Sequence, residues 1–81
     1  MNVNFMGIEF DLLSGDKLKL KNSKYKNYVI KINRIDNTNV YMEAIGGGKE
    51  GISNTVATVA NFKHNIADVL SWRWIITVER D

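Results

Sequence analysis

Polar and apolar positions alternate most cleanly in Lys17-Leu18-Lys19-Leu20-Lys21. A period of two places both leucines on one side of an extended strand and the three lysines on the other. Upstream, Ile8, Phe10 and Leu12 alternate with Glu9 and Asp11. Ser14-Gly15-Asp16 separates the two runs with turn chemistry: a positive φ for Gly, local side-chain hydrogen bonds for Ser and Asp. Residues 7–21 therefore predict two short strands. After a polar connection from Asn22 to Asn27, Tyr28-Val29-Ile30-Lys31-Ile32 is rich in β-branched residues, with Tyr28, Ile30 and Ile32 on one face. Asp36-Asn37-Thr38-Asn39 is a turn, and Val40-Tyr41-Met42-Glu43-Ala44-Ile45 returns from it. Together they predict a hairpin.

Gly46-Gly47-Gly48-Lys49-Glu50-Gly51 interrupts regular structure, and the stretch after it supports two readings. Val56, Val59 and Ala60 fit helical spacing, while Thr55-Val56-Ala57-Thr58-Val59 is β-branched and suits a strand, so residues 52–60 stay open. Phe62, Ile66, Val69 and Leu70 fall at i, i+4, i+7 and i+8, and Asn61 can cap them. That predicts one short helix over about 62–70. Trp72, Trp74, Ile76 and Val78 then share one side of a final strand, with Arg73, Thr77 and Glu79 opposite.

With 81 residues, the chain is expected to be a single small domain, 1–81, without an internal repeat. Short antiparallel strands with one helix predict a mainly β fold, a strongly curved sheet or small barrel. Gly15-Asp16-Lys17-Leu18-Lys19-Leu20, with the strand and tight hairpin after it, resembles the opening of SH3-like barrels over about half the chain. The resemblance implies a barrel and transfers no site residues. An α+β arrangement, a single sheet with the helix on one face, is the alternative.

Charge changes the picture more than composition does. The net charge is only +2, yet residues 17–34 hold Lys17, Lys19, Lys21, Lys24, Lys26, Lys31 and Arg34 with no acid. All nine acids lie elsewhere, so a basic segment sits beside an acidic remainder. The first residues carry no secretory or myristoylation signal, and no apolar run is long enough to span a bilayer. The expected setting is the cytoplasm of a bacterial cell or an infected host. Asn, Lys and Ile fill 27 of 81 positions, a low-GC bias that suits a bacterial, phage or mobile-element gene.

Catalytic equipment is sparse. Cys is absent and His64 is the one histidine, so Cys–His pairs and thiolate metal sites are excluded and no serine lies in a nucleophile motif. His64 and Asp68 stand at i, i+4, as two metal ligands would, but no further ligand has motif spacing. The expectation is no enzyme, no cofactor and no metal. Gly46, Gly47, Gly48 and Lys49 form a candidate anion loop, in which free N–H groups and a lysine could meet a phosphate. Against this, Glu50 intrudes and the spacing is not that of a P-loop, so chain reversal alone is the better explanation of the glycines.

Lysines on alternate strand positions project about 6.5–7 Å apart, close to the phosphate spacing of a nucleic-acid strand. Tyr25 and Tyr28 lie in the same block and could add stacking. Lysines on a strand also serve simply to keep an edge solvated. Trp72 and Trp74, with Arg73 between them, suit either a recognition surface or a core short of large side chains. The functional expectation is a non-catalytic binding or regulatory protein that docks a basic surface on an anionic partner. That surface comprises Lys17, Lys19, Lys21, Lys24, Tyr25, Lys26, Tyr28, Lys31 and Arg34. The partner is an acidic protein face or a nucleotide-type ligand; a small β-barrel binding single- or double-stranded nucleic acid is the alternative. No membrane contact is expected, and homodimerisation stays open.

Overall fold

The computed structural model describes residues 1–5, 7–24, 27–46 and 55–80. The elements run β1 (Asn2–Phe5), β2 (Ile8–Asp11), β3 (Lys17–Lys21), β4 (Tyr28–Ile35), β5 (Asn39–Gly46), β6 (Thr55–Thr58), α1 (Val59–Ser71) and β7 (Ile75–Glu79). Strands β1 and β2 form a two-stranded sheet, and the other five make an antiparallel sheet in the order β6-β5-β4-β3-β7. The fold is mainly β with one short helix.

Register explains how the main sheet divides its residues. Leu18 lies opposite both Ile30 and Val78, and Leu20 opposite both Tyr28 and Ile76. Ile30 lies opposite Ala44, Ile32 opposite Met42, and Val40 opposite Ala57. Because side chains alternate along a strand, all of these share one face. Helix α1 brings Phe62 and Ile66 to it and β1 brings Val3; with Leu12, Leu18, Leu20, Ile32 and Val40 they make the buried core.

Neither the strongly curved sheet nor the barrel expected from strand spacing forms. Among the described residues no sheet closes, and β6 and β7 remain at opposite edges. Closure would require those two to pair, but α1 lies between them in the chain and carries it from one edge to the other. At 1.5 Å per residue its 13 residues reach about 20 Å, and four interstrand gaps of about 4.8 Å span nearly the same distance. For the main sheet, the alternative with the helix on one face is the better description. Strand β1, for which the sequence pattern makes no prediction, pairs with β2.

The ends of the helix also differ from expectation. It begins at Val59, and its cap is Thr58, whose Oγ1 accepts the Asn61 N–H at 3.1 Å; Asn61 supplies the donor. The ambiguous stretch is thus strand through Thr58 and helix from Val59, while residues 52–54 lie outside the described residues. At the other end the Arg73 N–H bonds to the Leu70 carbonyl and the Trp74 N–H to the Val69 carbonyl, both at 3.1 Å. This is the paired hydrogen-bond pattern of a Schellman stop. It needs a left-handed residue at its centre, and Arg73 takes that conformation with φ 69°. Trp72 and Arg73 consequently sit in a turn, and β7 starts only at Ile75.

Two carboxylates fix turns. Asp36 accepts the N–H groups of Asn39 and Thr38 at 2.7 and 2.8 Å, which holds its carboxyl below the usual range and shapes the β4–β5 hairpin. Asp16, 1% exposed, accepts the Leu13 N–H at 2.9 Å and two hydrogen bonds from Arg80 at 2.9 and 2.8 Å. Its carbonyl also accepts the Ile32 N–H at 2.8 Å. Asp16 therefore ties the β2–β3 turn to β4 and to the residue after β7.

Candidate functional site: a basic sheet face and an adjoining cleft

The side of the main sheet turned away from the core is set by the same alternation. Helix α1 and the β1–β2 hairpin both take the inner side. On the outer side Lys17 lies opposite Lys31, with Glu79 beyond Lys17 and Glu43 beyond Lys31. One row across four strands thus reads Glu79, Lys17, Lys31, Glu43. Lys19 and Lys21 continue the cationic column along β3, opposite Thr77 and Ile75 of β7.

Two lysines placed directly opposite one another repel and weaken the pairing of their strands. The flanking glutamates partly offset this. Lys19 Nζ meets the Glu79 carboxylate at 2.5 Å. That hydrogen bond, then the charges of Lys19 and Lys17, hold the Glu79 carboxyl below its usual range despite some desolvation. Among the described residues, Lys17, Lys21 and Lys31 pair with no carboxylate. The lysine cluster therefore sets four cations against two carboxylates, Glu79 and Glu43, and three of its ammonium groups make no ion pair among the described residues.

The other expected contact residues are distributed differently. Arg34 shares the outer face but stacks on Tyr41 at 4.2 Å and lies 3.7 Å from Asp36. Tyr28 is opposite Leu20 on the inner side, half-buried against Trp74 at a ring separation of 5.6 Å, and so does not join the lysines. Lys24 lies in the loop after β3 and is exposed. Tyr25, Lys26, Gly47, Gly48 and Lys49 lie outside the described residues, and Gly46 ends β5 opposite Val29. His64 Nε2 is 3.4 Å from Asp68 on the exposed side of α1, and no group of three metal-ligating side chains gathers among the described residues.

A further feature emerges where Lys21 and Ile75 pair. The loop leaving β3 and the turn entering β7 face each other there and enclose a cleft of about 510 Å³, lined by Asn22, Ser23, Lys24, Trp72, Arg73 and Trp74. Trp72 is 65% exposed, and none of the six lining residues is an acid. Neither Lys24 nor Arg73 has an ion pair among the described residues. Sequence reasoning named the Trp-Arg-Trp triplet but put it on a strand, and had no means of bringing residues 22–24 to it.

No helix of the described residues is long and apolar enough to cross a membrane. Comparison with known proteins finds no matching family model, no matching curated protein and no matching solved structure.

Proposed function

We infer that this chain is a non-catalytic binding protein that docks the outer face of its main sheet on an anionic macromolecule. The observation that carries this reading is the gathering of Lys17, Lys19, Lys21 and Lys31 on one side of adjacent strands, turned away from the core, three of them without a carboxylate partner among the described residues. Repulsion between Lys17 and Lys31 costs stability in the free protein, and an approaching anion relieves it. Apolar side chains border the cations: Ile45 is 47%, Val56 56% and Ile75 65% exposed. Cations set encounter rate and orientation while apolar neighbours add contact energy, the division of labour usual in binding surfaces.

The test uses three labelled anions: a single-stranded oligonucleotide, a duplex and poly-L-glutamate, the last standing for an acidic protein face. Fluorescence anisotropy at about 50 mM salt should show binding to at least one. Affinity should fall about ten-fold or more by about 200 mM as counterions are released. Replacing Lys17, Lys21 and Lys31 together by Ala leaves the Lys19–Glu79 pair intact and should abolish binding. Failure to bind any of the three, or equal binding by the triple variant, overturns the reading.

A further inference from the structure

We propose that the cleft between residues 22–24 and 72–74 holds one nucleotide of a single-stranded nucleic acid, its base stacked on Trp72 and its phosphate between Arg73 and Lys24. This rests on the docking reading above and names the partner.

Three observations converge. First, Trp72 is 65% exposed and is the one aromatic among the large apolar side chains exposed in the described residues. A solvent-facing indole beside cations is the stacking platform that single strands use, because every base offers a π face. Second, Arg73 occupies the left-handed position of the helix stop, where glycine is the unstrained choice. An L-residue there costs about 1–2 kcal/mol, and at that position Arg73 lines the cleft. Guanidinium groups bind phosphate oxygens with two parallel hydrogen bonds. Third, the donor set is one-sided. Among the described residues Lys24, Arg73, Asn22 and Ser23 line the cleft with no carboxylate, and the volume of about 510 Å³ suits a nucleotide-sized ligand.

The cleft also lies at the end of the strand that carries the cationic column. Lys21 ends β3 immediately before Asn22, so Lys21, Lys19 and Lys17 lead away from the cleft along one strand. Their spacing of about 6.5–7 Å is that of consecutive phosphates in an extended strand. A duplex cannot offer an unstacked base to Trp72, which is why a single strand is the occupant.

The experiment titrates the wild-type chain with a twelve-nucleotide oligothymidylate, with poly-L-glutamate and with adenosine monophosphate, reading both anisotropy and indole emission. Oligothymidylate should bind and quench the indole emission. Trp72→Ala should weaken it about ten-fold and remove most of the quenching, leaving poly-L-glutamate affinity unchanged. Arg73→Gly, which suits φ 69° and keeps the turn, should weaken oligothymidylate several-fold without lowering the melting temperature. Oligothymidylate binding that is indifferent to Trp72→Ala and Arg73→Gly overturns the cleft while leaving the docking reading standing. Adenosine monophosphate binding as tightly as the oligonucleotide overturns the strand in favour of a free nucleotide. Binding of neither polyanion removes the docking reading, and this inference with it.

Discussion

Replacing Asp16 by Asn changes almost no volume but removes the charge that holds the C-terminal end of the chain against the β2–β3 turn. Asp16 is 1% exposed and takes hydrogen bonds from Arg80 Nε and Nη2 at 2.9 and 2.8 Å. Hydrogen bonds to a charged group contribute about 1.5–3 kcal/mol each. The Arg80 side chain is 45% exposed and regains water when released, so the net loss is smaller, about 2 kcal/mol for the pair. Asn retains an oxygen for the Leu13 N–H, which keeps the turn itself intact. A chain of 81 residues has a stability on the order of 4–12 kcal/mol. A loss of about 2 kcal/mol lowers its melting temperature by about 8–16 °C.

The pH dependence gives the sharper check. The Arg80 guanidinium holds the Asp16 carboxyl below its ordinary 3.8, against the opposing effect of burial. A carboxyl depressed in the folded state contributes fully above its unfolded value, and the contribution disappears as pH falls through the folded value. Circular-dichroism melts of wild type and Asp16→Asn should therefore differ most at neutral pH and converge well below pH 3.8. A variant melting within about 3 °C of wild type at neutral pH, or a gap that persists in strong acid, would refute the assigned role.

Two further expectations follow from the helix cap and the sheet face. Thr58→Ala removes the Oγ1 that caps α1 and should cost about 1 kcal/mol, a drop of about 4–8 °C in melting temperature. Asn61→Ala should leave the melt unchanged, because Asn61 acts through its backbone N–H. Glu79→Gln frees Lys19 from its carboxylate and should tighten polyanion binding about three-fold, with a steeper salt dependence by close to one counterion; anisotropy titrations at two salt concentrations measure both.

Elements written by local pattern were legible in the sequence. The strand from Lys17 and the hairpin around Asp36 depend on a period of two and on turn residues, and both lie where that pattern puts them. The lysine face follows from the same alternation, which also sends Tyr28 to the inner side with Leu20. What escaped depends on residues that do two jobs or on partners far apart in the chain. Thr58 looks like a strand residue and is one, yet its hydroxyl also starts the helix. The helix stop has Arg where the usual signal is Gly, so nothing in the sequence separated Trp72 and Arg73 from the strand that follows. The Asp16–Arg80 pair joins positions 64 apart, and the cleft exists only because β3 pairs with β7. No spacing rule reaches across such separations.

Helix α1 leaves one margin of the sheet and delivers the chain to the other, which makes it a ruler. The length of its 13 residues matches the breadth of the five-stranded sheet. One turn fewer would leave β7 short of β3, and one turn more would carry Trp72 past the loop it faces. The sheet's breadth and the opening of the cleft are thus gauged by the same length of helix. The β4–β5 turn is tied to the same ruler, because the Thr38 carbonyl accepts the N–H of Val59 at the start of the helix at 2.9 Å.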